Sequence, residues 1–317
     1  MKTLVIGATG QIGSDLVPEL RKKYGNDNIV GLSRKTEPSD ELKEGPFEFA
    51  DACDKEAIEA LIKKYDLDTI HHLASILSAK GEENPEMAWK INMVSLKNVL
   101  DLAKEYKLRV FWPSSIAAFG PTTPRDNTPQ RTILEPNTMY GVSKVAGELL
   151  CNYYFEKFGV DVRSVRYPGI LSYKALPGGG TTDYAVAIFY EALKEKKYTC
   201  FLKEDAALPM MYMPDCIKGT VDIMEADASK IKIRTSYNFS GISFSPRELA
   251  EEIKKHIPEF EIEYEPDSRQ KIAESWPMSI DDSDARADWG WKHEYDLEKM
   301  TTDMLEKLRE KLGITES

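Results

Sequence analysis

Two short stretches of the chain carry side chains that could move a proton on and off an alcohol oxygen. Ser114 and Ser115 form the first, and Tyr140 and Lys144 form the second. On a helix, residues four apart lie on one face, so the phenol and the ammonium would be neighbours. A neighbouring positive charge favours the phenolate, so we expect it to lower the pKa of Tyr140, and a serine hydroxyl could hold a substrate oxygen against the phenol. The spacing alone is common on ordinary helix surfaces, so the surrounding elements decide whether it marks an active site.

The amino-terminal segment predicts a cofactor for that chemistry. An apolar strand, Lys2 to Ile6, leads directly into the glycine-rich turn Gly7-Ala-Thr-Gly10-Gln-Ile-Gly13, and a helix follows from about Ile12 to Tyr24. Strand, glycine turn and helix open a dinucleotide-binding unit. The first glycine permits the tight turn, the second lets the backbone approach a pyrophosphate, and the third allows close packing of helix on strand. The helix amino terminus would then face the phosphates.

Strands and helices alternate through residue 168. Further strands are predicted at Asn28 to Leu32, Phe47 to Ala50, Thr69 to Leu73, Arg109 to Trp112 and Asp161 to Arg166. The predicted helices include one from about Pro85 to Tyr106 and one from Thr138 to Phe158, which carries Tyr140 and Lys144. This alternation of strands and helices predicts an α/β fold, a Rossmann-type doubly wound parallel sheet with a smaller carboxy-terminal α/β substrate subdomain. We assign residues 1–168 to a dinucleotide-binding domain and 169–317 mainly to a substrate-binding subdomain, interleaved with the first.

Composition excludes several other classes of protein. The chain has 317 residues, 42% of them hydrophobic and 30% charged, which is typical of a soluble globular protein. A net charge of −11 without a basic block argues against nucleic acid or an anionic membrane as the main partner. Four scattered cysteines and four histidines without ligand spacing predict no disulfide framework and no metal site. We expect a cytoplasmic protein, since there is no signal peptide and no membrane-spanning run.

The end of the second strand leaves the cofactor's identity open. An acidic residue there would bind the adenosine ribose and favour NAD, but the chain has Ser33-Arg34-Lys35. The two basic side chains could accommodate a 2′-phosphate, or they could be solvated loop charges. Asp51 could contact the adenine amino group, or cap the helix that begins near Asp54. Asn92 could be an internal polar bridge or an ordinary surface residue.

Several motifs together resemble one family. The glycine turn, the serine pair, and Tyr140 with Lys144 are similar to those of the extended short-chain dehydrogenase/reductase superfamily. Over nearly the whole chain, the sequence resembles the L-threonine 3-dehydrogenases of that superfamily. The motifs that carry this closer resemblance are Leu77-Ser78-Ala79, Phe119-Gly-Pro121-Thr122, Arg166-Tyr-Pro-Gly169, Gly178-Gly-Gly-Thr181-Thr182-Asp183-Tyr184-Ala185, Pro209-Met-Met-Tyr-Met213 and Ser275-Trp276-Pro277. The stretch from Gly178 to Ala185 is the most discriminating, because nucleotide-sugar epimerases and dehydratases share the glycine turn, serine, tyrosine and lysine but lack it.

The resemblance implies a reaction and a set of roles. It implies oxidation of L-threonine at C3 to 2-amino-3-oxobutyrate, with Ser115, Tyr140 and Lys144 as the catalytic residues. The implied cofactor-binding residues are Gly7, Gly10, Gln11, Ile12, Gly13, Ser33, Arg34, Asp51, Ala52, Leu73, Ala74, Ser75, Tyr140, Lys144, Tyr167 and Pro168. The implied substrate-binding residues are Ser78, Ser115, Tyr140, Thr181 and Thr182. NAD is the implied cofactor, and Ser33 in place of the expected aspartate makes tolerance of NADP a hypothesis.

Two other classes of protein remain open. A nucleotide-sugar epimerase or dehydratase on this scaffold should need basic residues for a diphosphate, and Arg234, Arg247 and Arg269 fall in no arrangement that indicates one. Dehydratases also typically need an acidic residue near the serine, where this chain has Ala117 and Ala118. A non-catalytic NAD(P)-sensing protein would keep the fold, but such proteins commonly lack the tyrosine and the lysine.

The sequence leaves open whether a loop closes over the substrate and whether the chain forms a dimer. The glycines at 178–180 suit a loop that closes over a substrate, or a passive linker. Relatives pair into homodimers through helices corresponding to residues 84–106 and 138–158. The apolar residues there are equally compatible with packing on the sheet: Met93, Leu96, Val99, Leu100, Leu149 and Leu150. The run Met210 to Met213 could line a substrate pocket, although a core strand is the more common reason for such a run.

Overall fold

A computed structural model of the protein describes residues 1–176 and 180–314. Its strands are β1 (Thr3–Ile6), β2 (Ile29–Ser33), β3 (Phe47–Phe49), β4 (Thr69–His72), β5 (Arg109–Phe111), β6 (Ser114–Ser115), β7 (Val162–Arg163), β8 (Val165–Tyr167), β9 (Gly169–Leu171), β10 (Lys197–Cys200), β11 (Leu208–Tyr212), β12 (Tyr237–Asn238), β13 (Ile242–Phe244) and β14 (Glu261–Tyr264). Its α-helices are α1 (Gly13–Tyr24), α2 (Lys55–Tyr65), α3 (Ser78–Glu83), α4 (Pro85–Trp89), α5 (Ser95–Tyr106), α6 (Met139–Phe158), α7 (Tyr184–Lys194), α8 (Met213–Glu225), α9 (Pro246–His256), α10 (Arg269–Glu274), α11 (Ser283–Trp289) and α12 (Leu297–Leu312). A π-helical turn, Lys90–Val94, joins α4 to α5.

The central sheet consists of six parallel strands in the order β3-β2-β1-β4-β5-β7. β1 lies between two partners, and Thr3 pairs with Ile29 on β2 and with Thr69 on β4. All of β1 is buried, as expected for a parallel strand that helices cover on both faces. This is the strand order of a Rossmann-type doubly wound sheet, so the predicted fold class is confirmed.

The turn between β1 and α1 depends on two glycines. Gly7 has φ +90°, in the left-handed region, and a Cβ on Gly13 would lie 2.2 Å from the carbonyl oxygen of Gly7. The backbone N–H groups of Gly7 and Ala8 donate to Leu32 O at 2.9 and 3.0 Å, which ties the turn to β2. α1 begins without a side-chain cap. The N–H groups of its first turn are therefore not taken up by a side chain.

Two predicted elements are divided in the structure. The helix predicted from Pro85 to Tyr106 is interrupted by the π turn. The strand predicted from Asp161 to Arg166 is two strands, because β7 pairs with β5 whereas β8 leaves the central sheet to pair with β6. The short elements α3, α11 and β13 are not anticipated by the sequence pattern.

The carboxy-terminal half is connected to the first half by strand pairing. β12 pairs with β8, so that β6, β8 and β12 form one small sheet, and β9, β11 and β13 form another. Met210 and Met211 are fully buried on β11, which makes this run a core strand. The division into domains at residue 168 stays a prediction.

Candidate active site

Ser115 and Tyr140 are brought together by a close approach between α6 and the chain that follows β6. Ser115 ends β6, and its hydroxyl accepts from the N–H of Ala117 at 3.2 Å, which starts the 3₁₀ turn Ile116–Ala118. A Cβ on Gly141 would lie 2.2 Å from Ala117 O, so only glycine lets the helix start this close to the turn. Thr138 caps α6 by accepting from Gly141 N at 3.1 Å. Tyr140, in the first turn of α6, therefore lies close enough to Ser115 for the serine hydroxyl to influence its phenol.

Lys144 lies one helical turn beyond Tyr140 on the buried face of α6. Its Nζ donates to Pro113 O at 2.6 Å, just before β6, and lies 5.3 Å from the ring centre of Tyr140. The same Nζ is 4.6 Å from the ring centre of Trp112, a distance suited to a cation–π contact. The predicted catalytic residues Ser115, Tyr140 and Lys144 thus share one buried region at the carboxyl end of the sheet.

The expectation that Lys144 lowers the pKa of Tyr140 is wrong for this structure. Burial raises the pKa of Tyr140 to about 12, opposed by the Ser115 hydroxyl. Burial also lowers the pKa of Lys144 to about 7, against the opposing effects of Cys151 and Glu148. Desolvation penalises both charged forms, and here it outweighs an ammonium that is turned toward Pro113. Without a ligand, Tyr140 is therefore a protonated phenol at neutral pH.

Trp112 and Gly147 set the distance between α6 and the sheet. A Cβ on Gly147 would lie 2.3 Å from Cη2 and 2.5 Å from Cζ2 of the Trp112 indole, and 3.1 Å from Leu96. The indole therefore lies flat against a helix position that has no side chain. Because Lys144 and Gly147 are three residues apart, the same ring contacts the helix where the lysine projects.

A buried ion pair connects α6 to both strands of the site, and the sequence analysis did not identify it. Glu148 and Arg166 are 1% and 3% exposed, and Arg166 donates to the carboxylate at 2.9 Å from Nε and at 2.8 Å from Nη2. Ser114 donates its hydroxyl to the same carboxylate at 2.6 Å. Since Ser114 precedes Ser115 and Arg166 precedes Tyr167, one side chain fixes both strands next to the candidate catalytic residues. The sequence does contain a signal for Glu148: Tyr140, Lys144 and Glu148 are spaced four residues apart, which places all three on one helix face.

Asn92 is an internal polar bridge. It accepts from the backbone N–H of Ile76 at 2.8 Å and from Ser75 Oγ at 3.2 Å, and it donates to Ile76 O and to Ser143 Oγ, both at 3.1 Å. Ser143 in turn donates to Tyr140 O at 2.7 Å. Asn92 therefore joins the segment after β4, where cofactor contacts are predicted, to the helix that carries Tyr140.

The π turn that presents Asn92 is supported by a second set of hydrogen bonds. Ser95 donates to Ile91 O at 2.6 Å, and His72 Nε2 lies 2.8 Å from Ser95 Oγ. Because the single hydroxyl proton of Ser95 goes to Ile91, His72 must donate from Nε2. Burial lowers the pKa of His72 to about 3, so its ring stays neutral.

The predicted cofactor residues line one edge of the sheet. A Cβ on Gly7 would lie 2.9 Å from Ala74 N, so the turn that begins at Gly7 and the segment Leu73 to Ser75 are in contact. Gln11 donates from its side chain to Ile170 O at 3.1 Å, which links the glycine turn to β9. The predicted residues Gly10, Ile12 and Gly13 belong to the same turn, and Pro168 precedes β9.

Other predicted cofactor residues have side chains with defined partners. Tyr167 points into the core, where its hydroxyl bonds with Thr220 and its ring contacts Phe111 and Phe239. It can therefore flank a cofactor only with its backbone. Asp51 is not the helix cap, because Asp54 accepts from Ala57 N at 3.0 Å and caps α2.

The predicted substrate residues come from three separate segments. Ser78 is the first residue of α3 and is 9% exposed, and Thr181 is 3% exposed just before α7. A Cβ on Gly169 would lie 2.7 Å from Thr182 Cγ2, so Thr182 packs directly over the start of β9. α3 lies against the start of α6, since a Cβ on Gly81 would lie 4.0 Å from Cβ of Tyr140. Gly178 and Gly179, which the closing-loop hypothesis needs, lie outside the described residues.

Two other properties concern the described chain as a whole. Across residues 1–176 and 180–314, no three His, Cys, Asp or Glu side chains are grouped so that they could hold a metal ion. None of the helices in the same ranges is long and apolar enough to cross a membrane.

Together with this geometry, comparison with known proteins shows the family to which the chain belongs. The model of the NAD dependent epimerase/dehydratase family matches residues 3–238, and the chain belongs to that family. A curated relative from Staphylococcus saprophyticus, described only as an uncharacterized epimerase/dehydratase, is 50% identical over 312 residues, 98% of each chain. Within the family, the resemblance to L-threonine 3-dehydrogenases is confirmed by solved structures. The L-threonine dehydrogenase of Clostridium difficile is 54% identical, with 98% of each chain covered and a TM-score of 0.96. A monomeric L-threonine 3-dehydrogenase from a metagenome is 47% identical, covering 97% of this chain and 99% of its own, with a TM-score of 0.93.

Proposed function

We propose that this protein oxidises L-threonine at C3 to 2-amino-3-oxobutyrate, with NAD as the hydride acceptor. The observation that carries the proposal is that Tyr140 lies near both Ser115 and Lys144, on a helix that Asn92 ties to the segment in contact with the glycine turn. This arrangement can hold an alcohol next to a nicotinamide. The similarity to L-threonine dehydrogenases supports the choice of substrate.

In the proposed reaction, the threonine hydroxyl lies between Ser115 and Tyr140. When bound, an oxidised nicotinamide would supply the acceptor for the C3 hydride and a positive charge beside the phenol. Tyr140 must first give up its own proton to become the phenolate. It then takes the proton of the substrate oxygen that Ser115 holds, so that the C3–O bond becomes a carbonyl. To favour the phenolate, Lys144 would have to be protonated and turned from Pro113 O, to which it donates here, toward the phenol. The product is a β-keto acid, which is prone to lose carbon dioxide and give aminoacetone.

Recognition of threonine must depend on hydrogen bonds, because the substrate is a small zwitterion with little apolar area. Ser78, at the start of α3, and Thr182, packed over the start of β9, would supply hydroxyl groups for these bonds. A hydrogen bond to a charged group is worth about 1.5–3 kcal/mol, or roughly 10-fold to 100-fold in kcat/KM. We therefore expect Ser78→Ala and Thr182→Val each to lower kcat/KM for threonine by such a factor.

The first test is reduction of the cofactor on addition of L-threonine, followed by near-ultraviolet absorbance. Tyr140→Phe should lose about 10²–10⁴ in turnover while cofactor binding, followed by protein fluorescence, is retained. Tyr264→Phe, a half-buried tyrosine on β14, is the matched control and should keep wild-type turnover. Near-normal turnover in Tyr140→Phe would refute the role of Tyr140 as the catalytic acid/base.

A nucleotide-sugar epimerase or dehydratase is the main alternative, and three arginines argue against it. Arg234 is buried and pairs with Asp161, Arg247 pairs with Glu204, and Arg269 pairs with Asp267. Each of the three therefore already pairs with a carboxylate, and within residues 1–176 and 180–314 they do not form a cluster of free guanidinium groups for a diphosphate. Turnover of a UDP-sugar, with no response to threonine, would favour this alternative.

The third candidate class, a non-catalytic NAD(P)-sensing protein, lacks support from the site geometry. Such a protein would need the cofactor cleft but no proton donor, whereas Ser115, Tyr140 and Lys144 lie close together here. Cofactor binding without turnover of any alcohol would favour it. We also propose a cytoplasmic location, because the four cysteines are free thiols, which suits a reducing compartment.

We further propose a homodimer formed through α4, α5 and α6. Leu96, Val99 and Leu100 pack on the sheet and cannot form this interface. Other apolar side chains on these helices and on the π turn between α4 and α5 are exposed: Met87, Trp89, Val94, Val142, Leu149 and Tyr153. An apolar surface made of six such side chains is of the kind that a partner normally covers.

Light scattering can test the dimer directly. Wild-type protein should have the mass of two chains, and Leu149→Glu, at a position 62% exposed, should shift it toward one. Ile133→Glu, an exposed apolar position in a loop, is the control and should leave the mass unchanged. A wild-type mass of one chain would refute the proposal and match the relative named as monomeric.

A further inference from the structure

The end of β2 is where a dinucleotide-binding fold separates NAD from NADP. Ser33 lies 20 residues after Gly13, the spacing at which an acidic residue normally receives the adenosine ribose. The glycine turn is held to the neighbouring residue, since Gly7 N and Ala8 N both donate to Leu32 O. The ribose that follows the pyrophosphate would therefore lie beside Ser33 and the residues after it.

Ser33 cannot replace the missing carboxylate. Its side chain is buried, and its hydroxyl donates to Thr36 O at 2.6 Å. Its backbone carbonyl accepts from Ala50 N at 3.1 Å, which fixes it between β2 and β3. The residue is neutral and engaged in its own turn, so it neither attracts a 2′-hydroxyl strongly nor repels a 2′-phosphate.

Two basic side chains, Arg34 and Lys35, follow Ser33 and are exposed to solvent. In the described ranges 1–176 and 180–314, neither Arg34 nor Lys35 forms a side-chain hydrogen bond or an ion pair. An aspartate at position 33 would offer Arg34 a neighbouring partner, and the serine leaves the guanidinium without one. A guanidinium has five donors in a planar fork that matches the oxygens of a phosphate.

Arg34 is close enough to the segment after β3 to act on it electrostatically. Burial and Asp51 raise the pKa of the Cys53 thiol, whereas Lys90 and Arg34 lower it. The guanidinium therefore lies within electrostatic range of the segment that contains Asp51, the predicted adenine contact. The exposed Glu37 and Asp40 are the acidic residues nearest to Arg34 in sequence, and neither forms an ion pair with it, since Asp40 pairs with Lys43.

We infer that the turn after β2 is a 2′-phosphate subsite, in which Arg34, assisted by Lys35, receives the phosphate that distinguishes NADP from NAD. The inference rests on the proposed dinucleotide site and extends it to a second cofactor. The protein then binds both cofactors, because nothing at position 33 excludes the phosphate.

Two adenosine nucleotides isolate the subsite from the rest of the cofactor and from the reaction. Adenosine 2′,5′-bisphosphate and 5′-AMP differ only in the 2′-phosphate, and calorimetry gives the ratio of their affinities. Wild-type protein should bind the bisphosphate at least tenfold more tightly, and the ratio should shrink as salt is added. A ratio near one in wild-type protein overturns the inference, while NAD binding measured in the same preparation leaves the dinucleotide site standing. Binding of none of these nucleotides overturns both.

Substitutions identify which residue causes the difference in affinity between the two nucleotides. Arg34→Met should bring the affinity ratio close to one, and Ser33→Asp should bring it below one by adding a charge that repels the phosphate. Lys254→Met, which removes an exposed cation on α9, should keep the wild-type ratio. An unchanged ratio in Arg34→Met would overturn the role of that residue, whether or not Ser33→Asp behaves as expected.

Discussion

Glu148→Gln is expected to destabilise the protein and to disturb its candidate catalytic strand. The carboxylate accepts from Ser114 Oγ at 2.6 Å and from two nitrogens of Arg166 at 2.8 and 2.9 Å. The amide keeps the shape of the side chain but removes the charge. Arg166 is left as an unpaired cation that is only 3% exposed.

The magnitude follows from the burial of the pair. Removing one partner of a buried ion pair costs about 3–5 kcal/mol. The amide can still bond with Ser114, and Arg166 keeps Asn238 Oδ1 at 2.9 Å, so we expect about 3 kcal/mol. For a chain of 317 residues, with an unfolding entropy of roughly 2 cal/mol/K per residue, this loss lowers Tm by about 4–5 °C.

Thermal unfolding and steady-state kinetics are the assays. Glu148→Gln should lower both Tm and kcat, since it weakens the charged pairing that ties β8 to α6, and β8 pairs with β6 at Ser115. The double variant with Arg166→Met should lose less stability than the sum of the single changes, because it removes both charges. Glu156→Gln, an exposed position on the same helix, should stay within about 0.5 kcal/mol of wild type. A Glu148→Gln protein with wild-type Tm, or strictly additive losses, would refute the reasoning.

Three further outcomes are expected. The folded-state pKa of Lys144 is lowered to about 7, so between that pH and about 10 the unfolded chain binds a proton that the folded chain does not. Stability should therefore rise with pH across this window, and Lys144→Met should lower the slope by up to about 1.4 kcal/mol per pH unit in denaturant titrations. Asn92→Leu should cost about 1–3 kcal/mol and reduce kcat, because the N–H of Ile76 loses its acceptor, as unfolding and kinetic assays would show. Gly147→Ala should cost about 1–3 kcal/mol by overpacking against Trp112, and Trp112→Phe in the same chain should recover part of the lost Tm.

The elements of the first half could be predicted because each has a local signal. Apolar runs of four to six residues define the strands, and the glycine turn is fixed by sterics that the structure reproduces at Gly7 and Gly13. The proximity of Ser115 to Tyr140 also follows from local reasoning, since a strand end and a helix start meet at one edge of a parallel sheet.

What sequence reasoning missed depends on burial and on contacts between distant residues. The raised pKa of Tyr140 could not be deduced from the lysine spacing, because desolvation is set by the whole fold. The partnership of Glu148 with Arg166 joins residues on different elements. The π turn likewise requires Ser95 and His72 to meet around Ile91, which no helical periodicity reveals. Exposed apolar residues on α6 became distinguishable from sheet-facing ones only in three dimensions.

The contact between Gly147 and Trp112 has an evolutionary consequence. An indole against a bare backbone leaves no room for a methyl group at 147, so the two positions cannot drift independently. A lineage that acquires a larger residue at 147 must first, or at once, accept a smaller one at 112. Because Lys144 is held against the same ring, that exchange would also change the surroundings of its ammonium. Covariation of these two positions among homologues would therefore trace the history of the lysine's environment.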